Sequence, residues 1–273
     1  MSELLDRHGL TPSRALGQNF VVDPNTVRRI ARLADVGAGD AVVEIGAGLG
    51  SLTLALADTG AEITAIEMDR HLLPALREVV APHGVHVVAG DAMRMSWGDV
   101  LSGHPTWVLV ANLPYNVATP LVLDLLDTVA PIHRMLVMVQ REVGERLAAA
   151  PGSGAYGIPS VKVAYWASAT VVGRVGPDVF FPRPRVDSVL VDIRRLLEPA
   201  TPADPERLFN LVKRGFGQRR KMLRRSLAGM VTADAFAGAG VRPEARAEEL
   251  SVQEWGRLSV EPPPVPPTSV EAH

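Results

Sequence analysis

The chain of 273 residues contains no cysteine. That absence removes disulfides, thiolate metal sites, iron–sulfur clusters and every mechanism built on a cysteine nucleophile. Long apolar runs are missing as well: none approaches the ~18 residues that a membrane helix needs. The first residues, MSELLDRHGL, lack the apolar core of a signal peptide. A strong charge imbalance is also absent, with 28 Lys plus Arg against 30 Asp plus Glu and a net charge of −2. A uniformly basic nucleic-acid coat is therefore excluded. Nor is there an internal repeat of fixed period. What is present is 47% hydrophobic and 21% charged residues, the composition of a chain that buries a core. A soluble cytoplasmic protein without membrane association or metal is expected.

Along the chain, Asp23-Pro24 precedes a stretch with Val27, Ile30, Ala31 and Ala34 apolar and arginines between them, the pattern of a capped amphipathic helix. From Ala41 onward, Val- and Ile-rich runs alternate with helical patterns: 41–45, 63–67, 85–89, 107–111 and 135–139, with helix-like segments at 72–80 and 120–128. Repeated β–α units with continuously apolar strands predict a doubly wound, mostly parallel sheet covered on both faces. Residues 186–194 alternate instead and predict a last, less buried strand. Three prolines between Glu198 and Pro205 predict a linker, after which 207–228 and 246–258 read as helical. The expected domains are a catalytic domain at 1–198, a small helical RNA-binding domain at 199–260 and a disordered proline-rich tail at 261–273.

Directly after the first long strand, Glu44-Ile45-Gly46-Ala47-Gly48-Leu49-Gly50 places three glycines at alternate positions. Glycine turns tightly and lets a ligand approach the backbone, and the following helix offers free N–H groups. A dinucleotide fingerprint requires glycine at 51, where Ser51 stands. Glu67 ends the second strand and can accept hydrogen bonds from both hydroxyls of a ribose, and Asp91 ends the third and can accept from an adenine amine. The spacing resembles the S-adenosylmethionine site of class I methyltransferases.

After the fourth strand comes Asn112-Leu113-Pro114-Tyr115-Asn116. The tetrad is similar to that of methyltransferases acting on amines conjugated to a planar system. Such a nitrogen is a weak nucleophile. Acceptance of its two N–H bonds by the Asn112 side chain and the Leu113 carbonyl directs its lone pair at the methyl group. Pro114 fixes the turn, and Tyr115 can stack on a flipped base. A loop at the carboxyl end of a central strand is where an α/β sheet places its ligand chemistry.

Leu16-Gly17-Gln18-Asn19-Phe20, the glycine turn, Asn112–Asn116, Phe180-Phe181-Pro182-Arg183-Pro184-Arg185-Val186-Asp187-Ser188, Gln218-Arg219-Arg220-Lys221 and Arg246-Ala247-Glu248-Glu249-Leu250-Ser251 together resemble the KsgA family of ribosomal RNA adenine dimethyltransferases, in order and over nearly the whole chain. The resemblance implies a Rossmann-like class I domain with a seven-stranded, mostly parallel sheet plus a small C-terminal helical domain. It implies dimethylation of N6 on two adjacent adenines in the 3′-terminal hairpin of 16S rRNA, in the 30S subunit or its precursor, by a monomer using S-adenosylmethionine. The cofactor contacts it implies are Asn19, Val21, Gly46 beside Gly48, Glu67, Asp91 and Asn112. It implies Phe180 as the second face of an aromatic clamp opposite Tyr115, although Phe181 follows at once and either ring could serve.

Residues 207–225 hold eight Lys or Arg and no acid, so the net −2 resolves into +8 there and −10 elsewhere. A field of that kind is the footprint of phosphate contacts. Arg219, Arg220, Lys221 and Arg224 are the expected RNA-binding residues, with Arg183 and Arg185 extending them. Two other functions are compatible with this sequence: a macrolide-resistance type dimethyltransferase of 23S rRNA, and a non-catalytic ribosome-assembly factor, against which the intact Asn112 and Tyr115 argue.

Overall fold

The structure, a computed structural model, describes residues 2–13 and 16–260. The tail expected at 261–273 lies outside the described residues. The strands in chain order are β1 (Phe20–Val21), β2 (Ala41–Ile45), β3 (Glu62–Glu67), β4 (His86–Ala89), β5 (Trp107–Asn112), β6 (Ile132–Gln140), β7 (Ala167–Val175), β8 (Phe180–Phe181) and β9 (Ser188–Arg195). The described residues divide into two units, 2–148 with 167–195, and 149–166 with 196–260.

In the first unit, seven strands form one sheet in the order β4-β3-β2-β5-β6-β9-β7. The first four neighbouring pairs are parallel and the last two antiparallel. From β2 the chain builds outward through β3 and β4, then returns to the other side of β2 with β5 and β6. The carboxyl ends of β2 and β5 thus flank the point where the winding direction reverses, which opens a crevice there. Continuous burial of β2, with Val42 and Val43 at 0% exposure, matches a strand covered on both faces. The helix Pro24–Ala34 covers one face through Val27, Ile30, Ala31 and Ala34. Asp23 caps its start by accepting from the backbone N–H groups of Asn25 and Thr26. Its last carbonyls, Leu33 and Ala34, accept from Arg134, whose Nε also pairs with Asp192 at 2.7 Å.

The alternating segment after Val186 is a correction. Strand β9 lies between β6 and β7, and Leu190 and Val191, on opposite faces, are both fully buried. Of β7 and β9 the less buried strand is β7, which takes one sheet edge and leaves Val171 and Val172 exposed. Outside the large sheet, β1 and β8 pair antiparallel, with Phe20 opposite Phe181 and Val21 opposite Phe180.

The second unit is helical. Helices Ile158–Trp166, Pro205–Gly217 and Val252–Val260 bury Tyr156, Val161, Tyr165, Leu208, Phe209, Val212, Leu258 and Trp255 in one cluster. The boundary expected at 198/199 falls at 195/196, and the segment Ala149–Trp166, expected in the first domain, belongs to the second unit. The reason is non-local: Tyr165 stacks edge-on against Phe209 and its hydroxyl donates to the Ala203 carbonyl at 2.8 Å. The proline-containing stretch 196–204 has no helix or strand, as expected, yet Thr201 and Ala203 are buried. It is held in place rather than loose, because Gly256 leaves no room between its helix and Thr201 for even a Cβ.

Candidate functional site

Within the first unit, a pocket opens at the carboxyl ends of β2, β3 and β5. It is lined by Asn19, Val21, Gly46, Gly48, Glu67, Asp91, Asn112, Leu113, Pro114 and Tyr115, so one cavity collects every cofactor and catalytic candidate except Phe180.

The glycine turn owes its shape to two constraints. Gly46 and Gly48 have φ of +75° and +59°, the left-handed region that disfavours side chains. A Cβ on Gly48 would also meet the Phe20 ring at 3.0 Å. The turn is tied to β3, because Gly46 and Ala47 both donate to the Ile66 carbonyl, at 2.9 and 3.1 Å. Glu67 completes the tie: its Oε2 accepts from Gly48 N–H at 2.8 Å and its Oε1 from Asp69 N–H at 2.7 Å. Burial raises the Glu67 carboxyl above the ordinary glutamate range, and these backbone donors only partly offset it. Each oxygen keeps a further lone pair for a ligand. Asp91 is half-exposed at the end of β4, with one oxygen occupied by Met93 N–H at 3.0 Å.

At the end of β5 the Asn112 amide has a defined polarity. Its Nδ2 donates to the main-chain carbonyl of Asn19 at 2.9 Å, which leaves Oδ1 as a free acceptor. The Pro114 carbonyl is consumed by Val117 and Ala118 N–H groups, whereas the Leu113 carbonyl has no partner among the described residues. Two acceptors therefore sit on adjacent residues beside the pocket. Tyr115 is half-buried, with its hydroxyl 3.0 Å from Ser188 Oγ. Burial raises its phenol above the ordinary range, and the Ser188 contact offsets this in part, so the ring stays uncharged at neutral pH.

Phe180 departs from expectation. It is 4% exposed, sits in the core cluster with Val21, Val27 and Ile30, and does not line the pocket. Adjacent residues of a strand face opposite ways, so burial of Phe180 turns Phe181 outward, where it is 48% exposed.

Sequence reasoning passed over Glu44, although a lone acid inside the apolar run of β2 was a visible signal. Glu44 is 2% exposed and lines the pocket, and neither its Oε2 nor the nearby buried Thr53 Oγ1 has a partner at hydrogen-bond geometry among the described residues. Burial pushes its carboxyl up to about 8; the Thr53 hydroxyl close by offsets this in part, and the neighbouring Glu67 charge adds to it. No Lys, Arg or His lines the pocket among the described residues, while three carboxyls do. That donor-poor, acid-rich lining suits a ligand carrying positive charge and hydrogen-bond donors, and does not suit a pyrophosphate. The cost of holding Glu44 gives a pH prediction. A raised folded-state value means stability present at acid pH and lost as pH rises from the ordinary glutamate range through about 8. Glu44→Gln removes this loss, so urea denaturation of the ligand-free protein at pH 6 and 9 should show a smaller fall for the variant. Parallel pH dependences would contradict the assignment.

The cations of the second unit are less free than their spacing suggested. Acids from distant segments reach the run that has none of its own: Glu248 pairs with Arg219, and Glu244 with Arg224 at 3.4 Å. Arg214 donates to the Ser226 carbonyl. Arg220, Lys221 and Arg225 are exposed and have no ion-pair partner among the described residues. In the first unit Arg183 pairs with Asp178 at 2.9 Å, and Arg185 is exposed without such a partner among the described residues. Among the described residues there is no cluster of metal-ligating side chains, and no helix is long and apolar enough to cross a membrane.

Comparison with known proteins agrees with this geometry. Residues 10–261 match the family model described as ribosomal RNA adenine dimethylase. A protein of Kineococcus radiotolerans named ribosomal RNA small subunit methyltransferase A is 48% identical, over 96% of this chain and 89% of its own length. Its namesake from Streptomyces coelicolor is also 48% identical, over 94% and 93%. Among solved structures, a dimethyladenosine transferase from Plasmodium falciparum superposes with a TM-score of 0.74 at 22% identity, covering 88% of this chain and 95% of that one, and so shares the fold. The 23S rRNA methyltransferase ErmE superposes at 0.69 with 26% identity, covering 88% and 98%. With a pocket of this form and a match over nearly its full length, the chain belongs to the ribosomal RNA adenine dimethylase family.

Proposed function

We propose that the protein dimethylates N6 of two adjacent adenines in the 3′-terminal hairpin of 16S rRNA, with S-adenosylmethionine as donor, during biogenesis of the small ribosomal subunit. The observation that carries this reading is the pair of free acceptors, Asn112 Oδ1 and the Leu113 carbonyl, beside an acid-lined pocket without cations. The small-subunit methyltransferases at 48% identity support a 16S substrate over a 23S one, since similarity to ErmE is 26%.

S-adenosylmethionine, when bound, supplies a methyl group made electrophilic by its sulfonium charge. In the proposed arrangement Glu67 accepts from the ribose hydroxyls and Asp91 from the adenine amine. Asn19, Val21, Gly46 and Gly48 shape the walls, and Glu44 supplies an uncommitted buried oxygen to the cationic end. Asn112 Oδ1 and the Leu113 carbonyl accept the two N–H bonds of the target amine, which aims its lone pair and stabilises the positive charge growing on nitrogen. Tyr115 stacks on the flipped base, and its uncharged ring face favours that same charge. Its raised ionisation makes it unsuited to act as a base at neutral pH, and none is required, because the methylated amine loses its proton to water.

The free cations Arg185, Arg220, Lys221 and Arg225 are proposed to contact RNA phosphates directly. Arg183, Arg219 and Arg224 first exchange their carboxylate partners for phosphate, so they add less net affinity. The protein is proposed to act as a cytoplasmic monomer. Transfer of labelled methyl groups tests the substrate: unmethylated small subunits should be labelled and large-subunit RNA should not. Labelling of the large-subunit RNA alone would overturn the reading.

A further inference from the structure

The leading segment of the first unit is hydrogen-bonded to the pocket at both of its sides. Gln18 sits at the centre of these contacts. Its Nε2 donates to Asp69 Oδ2 at 2.8 Å, across 51 residues of sequence. Its Oε1 accepts from Ser13 N–H at 2.7 Å, and its own N–H donates to the Ser13 carbonyl at 3.2 Å. Asp69 is itself fixed, with Oδ1 accepting from His71 N–H at 3.0 Å and its N–H donating to Glu67 Oε1. On the other side, Gly17 lies so close to Pro114 that a Cβ on it would meet the Pro114 Cβ at 3.4 Å. One residue beyond Gln18, the Asn19 carbonyl accepts from Asn112 Nδ2.

We propose that Gln18 is a positioning residue: its side chain latches residues 17–19 to Asp69 and so holds the Asn19 carbonyl where it sets the polarity of the Asn112 amide. An amide rotated by half a turn would present N–H groups to the target amine, two donors facing two donors, and transfer would stop. A carbonyl fixed beside Nδ2 excludes that state. The same latch joins the Glu67–Asp69 corner to Asn112, so the two ends of the pocket are set together. The proposal rests on the reading of the pocket as a methyl-transfer site.

The chemistry of the latch allows an exchange test. Gln18→Glu places two carboxylates face to face. Adding Asp69→Asn restores a complete set of bonds. The oxygen of the new amide still accepts from His71, its nitrogen donates to the carboxylate introduced at position 18, and the other oxygen of that carboxylate still accepts from Ser13. Gln18→Ala and Gln18→Glu should lower kcat at saturating cofactor by roughly ten- to a hundredfold, the range expected when a reacting group is misplaced by about an ångström. The double variant should return kcat to within about threefold of wild type, which loss of fold stability alone would not produce. Thermal midpoints of the single variants should stay near that of the wild type. Calorimetric affinity for S-adenosylmethionine should fall in Gln18→Glu and recover in the double variant, a readout independent of turnover. Wild-type kcat in Gln18→Ala overturns the proposal, as does a folded double variant no better than Gln18→Glu. A wild-type protein that binds the cofactor but transfers no methyl group would instead sink the proposed function, and the affinity pattern would still read the latch.

Discussion

Asn112→Ala should lower kcat by roughly a hundred- to a thousandfold, the loss seen when a preorganised polar group facing developing charge is removed. The expectation follows from the position of the side chain rather than from its type alone. Asn112 ends β5, the central strand beside the glycine turn, and its Nδ2 is engaged by the Asn19 carbonyl at 2.9 Å. Only Oδ1 is left to accept, next to the free Leu113 carbonyl. Deletion to Cβ leaves the target amine with one acceptor instead of two, and its lone pair is no longer aimed. Folding should survive, because Asn112 is only partly buried and already lines a pocket, which its truncation would widen. Asn112→Asp should fail as well, although it keeps an acceptor oxygen, because a carboxylate cannot donate to Asn19 and is repelled by that carbonyl. Single-turnover kinetics with saturating cofactor check both, and a rate within about threefold of wild type in Asn112→Ala would contradict the acceptor role.

The proposed stacking on Tyr115 gives the second large effect. Tyr115→Ala should lose roughly ten- to a hundredfold in turnover, corresponding to the ~1–3 kcal/mol that stacking of a base on a ring provides. Tyr115→Phe keeps the ring and gives up only the contact with Ser188, so a few-fold loss is expected, in line with a neutral hydrogen bond of about 1 kcal/mol. The opposite face of the clamp separates two neighbouring phenylalanines. Phe180 lies among Val21, Val27 and Ile30 in the core, so Phe180→Ala should cost about 3–5 kcal/mol of stability. Phe181 is the exposed ring and is proposed to take the opposite face, so Phe181→Ala should leave stability nearly intact while lowering turnover on RNA. Urea denaturation and turnover, measured on both variants, check this division. A stable Phe180→Ala protein without activity would return the stacking role to Phe180.

The strands of the sheet were legible because their apolar runs are long and fully covered: 41–45, 107–111 and most of 62–67 were bounded within a residue or two. That the candidate residues at their carboxyl ends share one pocket was legible for the same reason, since a motif placed after a well-defined strand has a known place in a doubly wound sheet. What was not legible depends on distant partners. Strand β7 is an edge strand with a glycine and several exposed residues, and its alternation is weak. Helix Ile158–Trp166 is apolar on more than one side, and nothing local shows that it packs with residues 205–217 rather than with the sheet that precedes it in sequence. The pairing of β1 with β8 involves two residues from each end of the first unit, too few to leave a period. The excess of cations at 207–225 is plain in the sequence, but Glu244 and Glu248 reach it only in the fold. The latch between Gln18 and Asp69 is of the same kind.

The most direct measurement is mass spectrometry of the 3′-terminal fragment of 16S rRNA after unmethylated small subunits have been incubated with the purified protein and S-adenosylmethionine. Two adjacent N6,N6-dimethyladenines, absent when Asn112→Ala replaces the wild type, are the predicted result. A fragment left unmodified by a folded protein that binds S-adenosylmethionine would contradict the account.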